Sequence, residues 1–198
     1  MTHNPYPEFR FLLGSKSPRR QHLLKELGIL YELVSIDVDE VFPENLAGSE
    51  IPEYLCDLKA EAFPLSNYPT NTILITADTI VWLDGKCIGK PAGKKEALEM
   101  LGCLSGKKHE VYTAICIKTL GKKKIFHVKT DVSLKKLTPE EIHFYIDHHR
   151  PYDKAGAYGI QDWIGFTSVT GISGCYYNVM GFPVQRFWAE LQSFVKKP

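Results

Sequence analysis

Apolar and polar positions along this chain change period from block to block, from strand-like runs to helix-like stripes and back. Residues 9–13 form a short apolar run of strand length. Leu23, Leu24 and Leu27 then recur at helical spacing. Ser17 stands ahead of them as an N-cap, its hydroxyl able to accept from the first free amides. Pro18 fits the first helical position, where a missing N–H costs nothing, and Gly28 closes the helix. Residues 31–35 predict a second strand, 37–49 an acidic loop, and 52–63 a helix ended by Pro64. Residues 72–77 are apolar and β-branched, as in a strand buried on both faces. Residues 80–83 and 86–88 flank Asp84-Gly85, a hairpin-turn dipeptide.

Residues 94–101 predict a helix, followed by two long strands, 109–118 and 124–134, joined by a turn containing Gly121. Thr138, Pro139 and Glu141 make a capping box that opens a helix running to residue 148. A loop follows, YDKAGAYGIQ at 152–161. Strands are then expected at 164–169 and 176–179. Pro183 opens a last helix with Phe187, Trp188, Leu191 and Val195 on its apolar side. The order is α/β with hairpins, so the sheet should be mixed rather than parallel. No repeat or linker divides the chain, and 1–198 reads as one domain.

Composition narrows the function. With 44% hydrophobic and 24% charged residues the chain has the make-up of a soluble globular protein. A net charge of +1 excludes the broad basic field that DNA or RNA binding needs, so any anion site must be local. No apolar run approaches the roughly 18 residues that span a bilayer, and residues 1–10 lack an apolar signal core. Five scattered cysteines, an odd number with no CxxC, read as reduced thiols in a cytoplasmic protein.

Two segments stand out chemically. SKSPRR, residues 15–20, places Arg19 and Arg20 in the first turn of a helix, where cations oppose the dipole. A bound polyanion would reverse that penalty, since free amides and arginines both grip phosphate; the same residues would also serve as an exposed basic turn. YDKAGAYGIQ packs small residues, two tyrosines, an Asp–Lys pair and an amide into ten positions, as a loop around a small planar ligand would. Together they point to a nucleotide pocket. Asp78 sits at the expected end of an apolar strand, where it could hold a metal, orient a water or merely cap a turn. Lys90, in Gly89-Lys90-Pro91, could reach phosphate. Lys59 in an amphipathic helix would ordinarily snorkel to water, and Glu40 would ordinarily be surface. His143, His148 and His149 suit the negative end of a helix better than a metal. Lys122, Lys123 and Lys124 read as a solvated turn.

Taken in order, these motifs resemble the Maf family of nucleoside triphosphate pyrophosphatases. The likeness runs nearly end to end: SxSPRR, Asp39-Glu40, Leu55 through Lys59-Ala60, Thr76-Ala77-Asp78-Thr79, Gly89-Lys90-Pro91, Leu104-Ser105-Gly106 with His109, YDKAGAYGIQ, and the late Gly174, Gly181 and Pro183. YDKAGAYGIQ resembles the dTTP/UTP branch rather than the 7-methyl-GTP branch. The resemblance implies an elongated, ITPase-like mixed α/β fold with two lobes around a deep cleft, commonly a homodimer. It implies hydrolysis between the α- and β-phosphates, giving a monophosphate and pyrophosphate. Asp78 matches the proton acceptor; Arg19, Thr79 and Gln161 match positions tied to substrate choice; Ser15, Arg20, Glu40, Lys59 and Lys90 match the phosphate and metal site. The chain departs from the family pattern at Asp162 and Trp163, where glycine-rich continuation is usual, at Cys56, where alanine is usual, and at the variable Lys16.

Residue chemistry then outlines a mechanism. Arg19, Arg20, Lys59 and Lys90 would neutralise a triphosphate, and Asp78 with Glu40 would offer hard oxygens to Mg²⁺ or Mn²⁺. Asp78 is either the proton acceptor or a metal ligand. Gln161 offers one donor and one acceptor edge, which matches uracil or thymine; because an amide can flip to suit cytosine, discrimination requires a second fixed partner, such as Thr79 or a backbone group in the 156–161 loop. The competing reading is a non-catalytic nucleotide-binding regulator of division or septum formation. A nucleic-acid module is disfavoured by the near-zero charge.

Overall fold

One long strand organises the molecule. The computed structural model describes residues 4–196; residues 1–3 and 197–198 of the 1–198 reading lie outside the described residues. Strand β3, Thr72–Leu83, is 12 residues long and buried along nearly its whole length. On one side it pairs in parallel with β1, Arg10–Leu13, which pairs in parallel with β2, Tyr31–Leu33. On the other it pairs antiparallel with β5, Lys108–Lys118, which pairs with β6, Lys123–Leu134, and that with β7, Val169–Ser173. The short β4, Lys86–Ile88, folds back on β3 through Asp84 and Gly85. Both turn residues have positive φ, 50° and 78°, as a two-residue hairpin turn requires. The mixed sheet that the element order predicts is therefore present, with seven strands among the described residues.

The helices are α1 (Pro18–Glu26), α2 (Glu50–Ala62), α3 (Lys94–Leu104), α4 (Pro139–His149), α5 (Trp163–Ser168), α6 (Tyr176–Val179) and α7 (Val184–Val195). Among the described residues, none is long and apolar enough to cross a membrane. The capping box at Thr138 and Glu141 forms in both directions. Ser17 occupies the N-cap of α1, but its hydroxyl makes no capping bond; its amide instead donates to Ser15 Oγ at 3.3 Å.

Three strand expectations need correction. The two runs 72–77 and 80–83 are one strand, because the backbone of Asp78 and Thr79 stays in the ladder opposite Ala114 and Thr113. Asp78 is thus in the middle of β3, not at its end. Residues 164–168 are helix α5, and the strand begins only at Val169. The burial order explains this: Ile164, Gly165 and Ser168 face inward while Phe166 is exposed, which is helical spacing rather than alternation. A Cβ on Gly165 would lie 1.9 Å from the carbonyl oxygen of Ile160, so only glycine allows α5 so close to the preceding loop. Residues 176–179 also form a helix, α6, whose Asn178 is buried.

The interior divides into two main clusters. One gathers Phe11, Leu24, Ile73, Ile115 and Phe187 near β1, α1 and α7. The other gathers Val81, Leu101, Leu104, Tyr145, Tyr158 and Ile164 near the far half of β3 with α3, α4 and α5. Phe187 and Leu191 are core, as expected, and Trp188 packs against them. The lysine turn is less free than expected: Lys122 donates to the Phe194 carbonyl at 2.9 Å, and Lys123 pairs with Asp57 and Glu61.

Candidate active site

A cavity of about 360 Å³ opens between the two clusters. That is within the range of small-molecule sites, roughly 300–1,000 Å³. Its walls come from the Gly14–Arg20 turn, the middle of β3, α2 through Lys59, the 152–161 loop and the turn at Gly181. Ser15, Arg19, Arg20, Glu40, Lys59, Asp78, Thr79, Lys90 and Gln161 all line it. Residues up to 146 positions apart therefore share one hollow, as the proposition of an anion site beside a planar-ligand loop requires.

An ion cluster forms the floor. Lys59 Nζ lies 2.6 Å from Asp78 Oδ1 and 2.9 Å from Glu40 Oε1. Lys59 is only 8% exposed and Asp78 7%. The lysine does not snorkel outward, because the buried Asp78 and the partly exposed Glu40 meet its ammonium. Lys90 is half-exposed at the rim, 3.8 Å from Glu40 Oε2. Burial opposes ionisation of Glu40, yet the hydrogen bond from Lys59 and the charges of Lys59, Lys90 and Arg20 outweigh it and hold its carboxyl below the usual range. Cys56, where alanine is usual, sits behind this floor with its thiol on the Glu53 carbonyl, 3.2 Å away. Burial pushes that thiol up, away from reactive thiolate.

The two arginines differ in what they hold. Arg20 spends four of its five N–H donors inside the protein: Nε on the Gly181 carbonyl, Nη1 on Ser15 Oγ and the Ala77 carbonyl, and Nη2 on Thr79 Oγ1, at 2.8–3.3 Å. It ties α1, β3 and the turn before α7 into one frame. Arg19 gives one bond, from Nη1 to Asp153 Oδ2 at 2.9 Å, and keeps the rest of its fork toward the cavity. Asp153 also accepts from Lys154 at 2.8 Å, which links the 152–161 loop to the arginine turn.

That loop is held from behind. Tyr145, fully buried, donates its hydroxyl to Asp162 Oδ2 at 2.8 Å and accepts the Gly159 amide at 3.1 Å. A Cβ on Gly159 would meet Asp162 Oδ2 at 2.5 Å, so the chain's own Asp162 needs glycine there. Trp163 packs on Phe144 at 4.9 Å, outside the cavity wall. Gln161 lines the cavity, and its amide oxygen has no partner within the protein. Tyr158 forms part of the wall, its hydroxyl 2.8 Å from Nε2 of the buried His109. Of the helix-end histidines, His148 bonds the Phe144 carbonyl through Nδ1 and His149 stacks on Tyr145.

Sequence reasoning passed over Asp153, Tyr158 and Thr113 as individual site residues. Thr113 carried a readable signal: it is a polar residue within the apolar run of β5, and it pairs directly with Thr79 across the ladder.

The pattern that defines the Maf-like protein family matches residues 10–194 of this chain. The chain belongs to the Maf family. Among Maf relatives, the dTTP/UTP pyrophosphatase of Bacteroides thetaiotaomicron is 49% identical over 186 residues, covering 93% of this chain and 96% of that protein. The dTTP/UTP pyrophosphatases of Flavobacterium johnsoniae and Porphyromonas gingivalis are 43% and 42% identical, each over 94–95% of this chain and 95–96% of theirs. The solved Staphylococcus aureus Ham1 protein shares 13% identity, with a TM-score of 0.39 over 63% of this chain and 71% of that one. A likeness that low bears on neither fold nor function. Against the Maf family, the cavity described above collects the motif residues that the resemblance singled out.

Proposed function

We propose that the protein hydrolyses the α–β phosphate bond of dTTP and UTP, and of modified pyrimidine nucleotides of the same shape, to the monophosphate and pyrophosphate. One observation carries the reading: cations from three separate segments, Arg19, Lys59 and Lys90, meet the carboxylates Asp78 and Glu40 and the amide Gln161 around a single cavity. The dTTP/UTP names of relatives at 42–49% identity support the choice of base.

In this reading Arg19, Lys90 and the free amides at the start of α1 take the phosphates, and Arg20 holds that turn in place. Lys59 fixes Asp78 through Oδ1, leaving Oδ2 to accept the proton of the water that attacks phosphorus. Positioning and charge neutralisation do most of the work in such a transfer. Asp78 and Glu40 also fit a divalent cation such as Mg²⁺ or Mn²⁺. They are hard oxygen donors on the wall of the same cavity. Bound there, the cation supplies positive charge opposite the phosphates. Gln161 takes a base edge with its unpartnered amide.

Pyrophosphate release from a panel of nucleotides, with and without Mg²⁺ or Mn²⁺, tests the reading. Release from dTTP and UTP, and little from 7-methyl-GTP, is expected. Tight nucleotide binding with no release would instead favour the non-catalytic regulator. Asp78→Asn should lose most turnover while still binding nucleotide; full activity in that variant removes Asp78 from the mechanism. A cytoplasmic homodimer is part of the same proposal, and analytical ultracentrifugation reads whether the protein sediments as two chains.

A further inference from the structure

Thr79, which lines the same cavity as Gln161, belongs to a chain of hydroxyls whose proton order is fixed by its partners. Thr113 Oγ1 donates to the main-chain carbonyl of Asn178 at 2.9 Å. A carbonyl has no proton to return, so the single proton of Thr113 is committed. Thr79 Oγ1 lies 2.9 Å from Thr113 Oγ1. That contact needs a proton, and only Thr79 can supply it. Thr79 Oγ1 is also 2.9 Å from Arg20 Nη2, which can only donate. The order is therefore Arg20 to Thr79 to Thr113 to the Asn178 carbonyl. Thr79 has given its proton and accepted one, and one lone pair remains on a residue that lines the cavity.

The far end is well anchored. Thr113 and Asn178 are fully buried, and Asn178 Nδ2 donates to the Val111 carbonyl at 3.0 Å and to Thr130 Oγ1 at 2.9 Å. Thr79 and Thr113 are direct partners across β3 and β5, so backbone pairing holds the two hydroxyls face to face.

We infer that Thr113 is a positioning residue for base choice: it makes Thr79 an acceptor only, and so selects bases with an imino N–H. This rests on the reading that the cavity takes pyrimidine nucleotides. Uracil and thymine carry a donor N–H at N3, beside carbonyls that an amide can donate to. Cytosine carries a bare N3 lone pair there, which faces the lone pair of Thr79 and finds no proton. Gln161 can flip to follow either base; Thr79 cannot reverse, because its proton is held by Thr113.

The test is the ratio of kcat/KM for UTP over CTP in the wild type, Thr113→Val and Thr113→Ser. In Thr113→Val the proton of Thr79 is released and can turn to the ligand, so the ratio should fall by at least about tenfold, the worth of one satisfied or frustrated hydrogen bond. Thr113→Ser keeps the hydroxyl and should keep the ratio. A folded Thr113→Val whose activities on both nucleotides fall together, with the wild-type ratio, overturns the inference. Should valine prevent folding, Thr113→Ala, which likewise offers the Thr79 proton no acceptor, must shift the ratio the same way; an unchanged ratio there overturns it equally. A wild type that cleaves UTP and CTP alike refutes the role of Thr113 and leaves the hydrolysis standing. A wild type that releases no pyrophosphate from either refutes the functional reading, and this one with it.

Discussion

Acidification should weaken this fold through one histidine. His109 is 1% exposed, with Nε2 on the Tyr158 hydroxyl and Nδ1 without a partner. Burial, only partly opposed by the charge of Asp131, pulls its pKa from 6.5 down to about 4. The folded state thus refuses a proton that the unfolded chain accepts. Below pH 6.5 the unfolded state binds more protons, so stability is full above that value and drains away as pH falls toward 4. At about 1.4 kcal/mol per pKa unit, the whole window is worth about 3 kcal/mol, of which about 2 kcal/mol is gone by pH 5. Urea unfolding at pH 7 and pH 5, for the wild type and His109→Gln, isolates this from other titrations. The wild type should lose about 2 kcal/mol more than the variant over that interval. Equal losses in the two proteins would show that His109 is not held neutral by burial, and would refute the reasoning.

Three further outcomes follow from other contacts. Lys59→Met strips the buried Asp78 of its ammonium partner and should lower stability by about 3–5 kcal/mol in urea unfolding; a loss under about 1 kcal/mol would mean that Asp78 is hydrated rather than buried. Gly165→Ala drives a methyl into the Ile160 carbonyl and should cost at least about 1–3 kcal/mol, seen as a lower Tm; an unchanged melt would contradict the packing of α5. Tyr145→Phe removes both hydroxyl bonds behind the 152–161 loop and should raise KM for dTTP several-fold more than it changes kcat; equal changes would place the loop in the chemical step instead.

Local signals were legible where one residue type decides the geometry. Asp84-Gly85 forms its hairpin because both positions accept positive φ, and Thr138 with Glu141 closes its box because both partners are within one turn. The motif order also singles out residues that line the cavity. What failed had tertiary causes. Helix α5 reads as a strand by composition, and its helical burial order, with Gly165 packed against the Ile160 carbonyl, is fixed by the tertiary contacts. Asp78 looks like the end of a strand because it breaks an apolar run, but Lys59, 19 residues away, supplies the charge that lets the strand continue through it. The committed donors of Arg20 depend on Gly181 and Ala77, which no local pattern connects to it.

The position of Asp78 has an evolutionary corollary. It is rooted mid-way along a strand whose ladder with β5 runs straight through it, whereas Gln161 hangs from an irregular loop latched by a few side chains. Under the proposed function, mutations in that loop can therefore explore new bases while Asp78 stays where it is. Diversification of ligand taste within such a scaffold needs no reinvention of its hydrolytic apparatus.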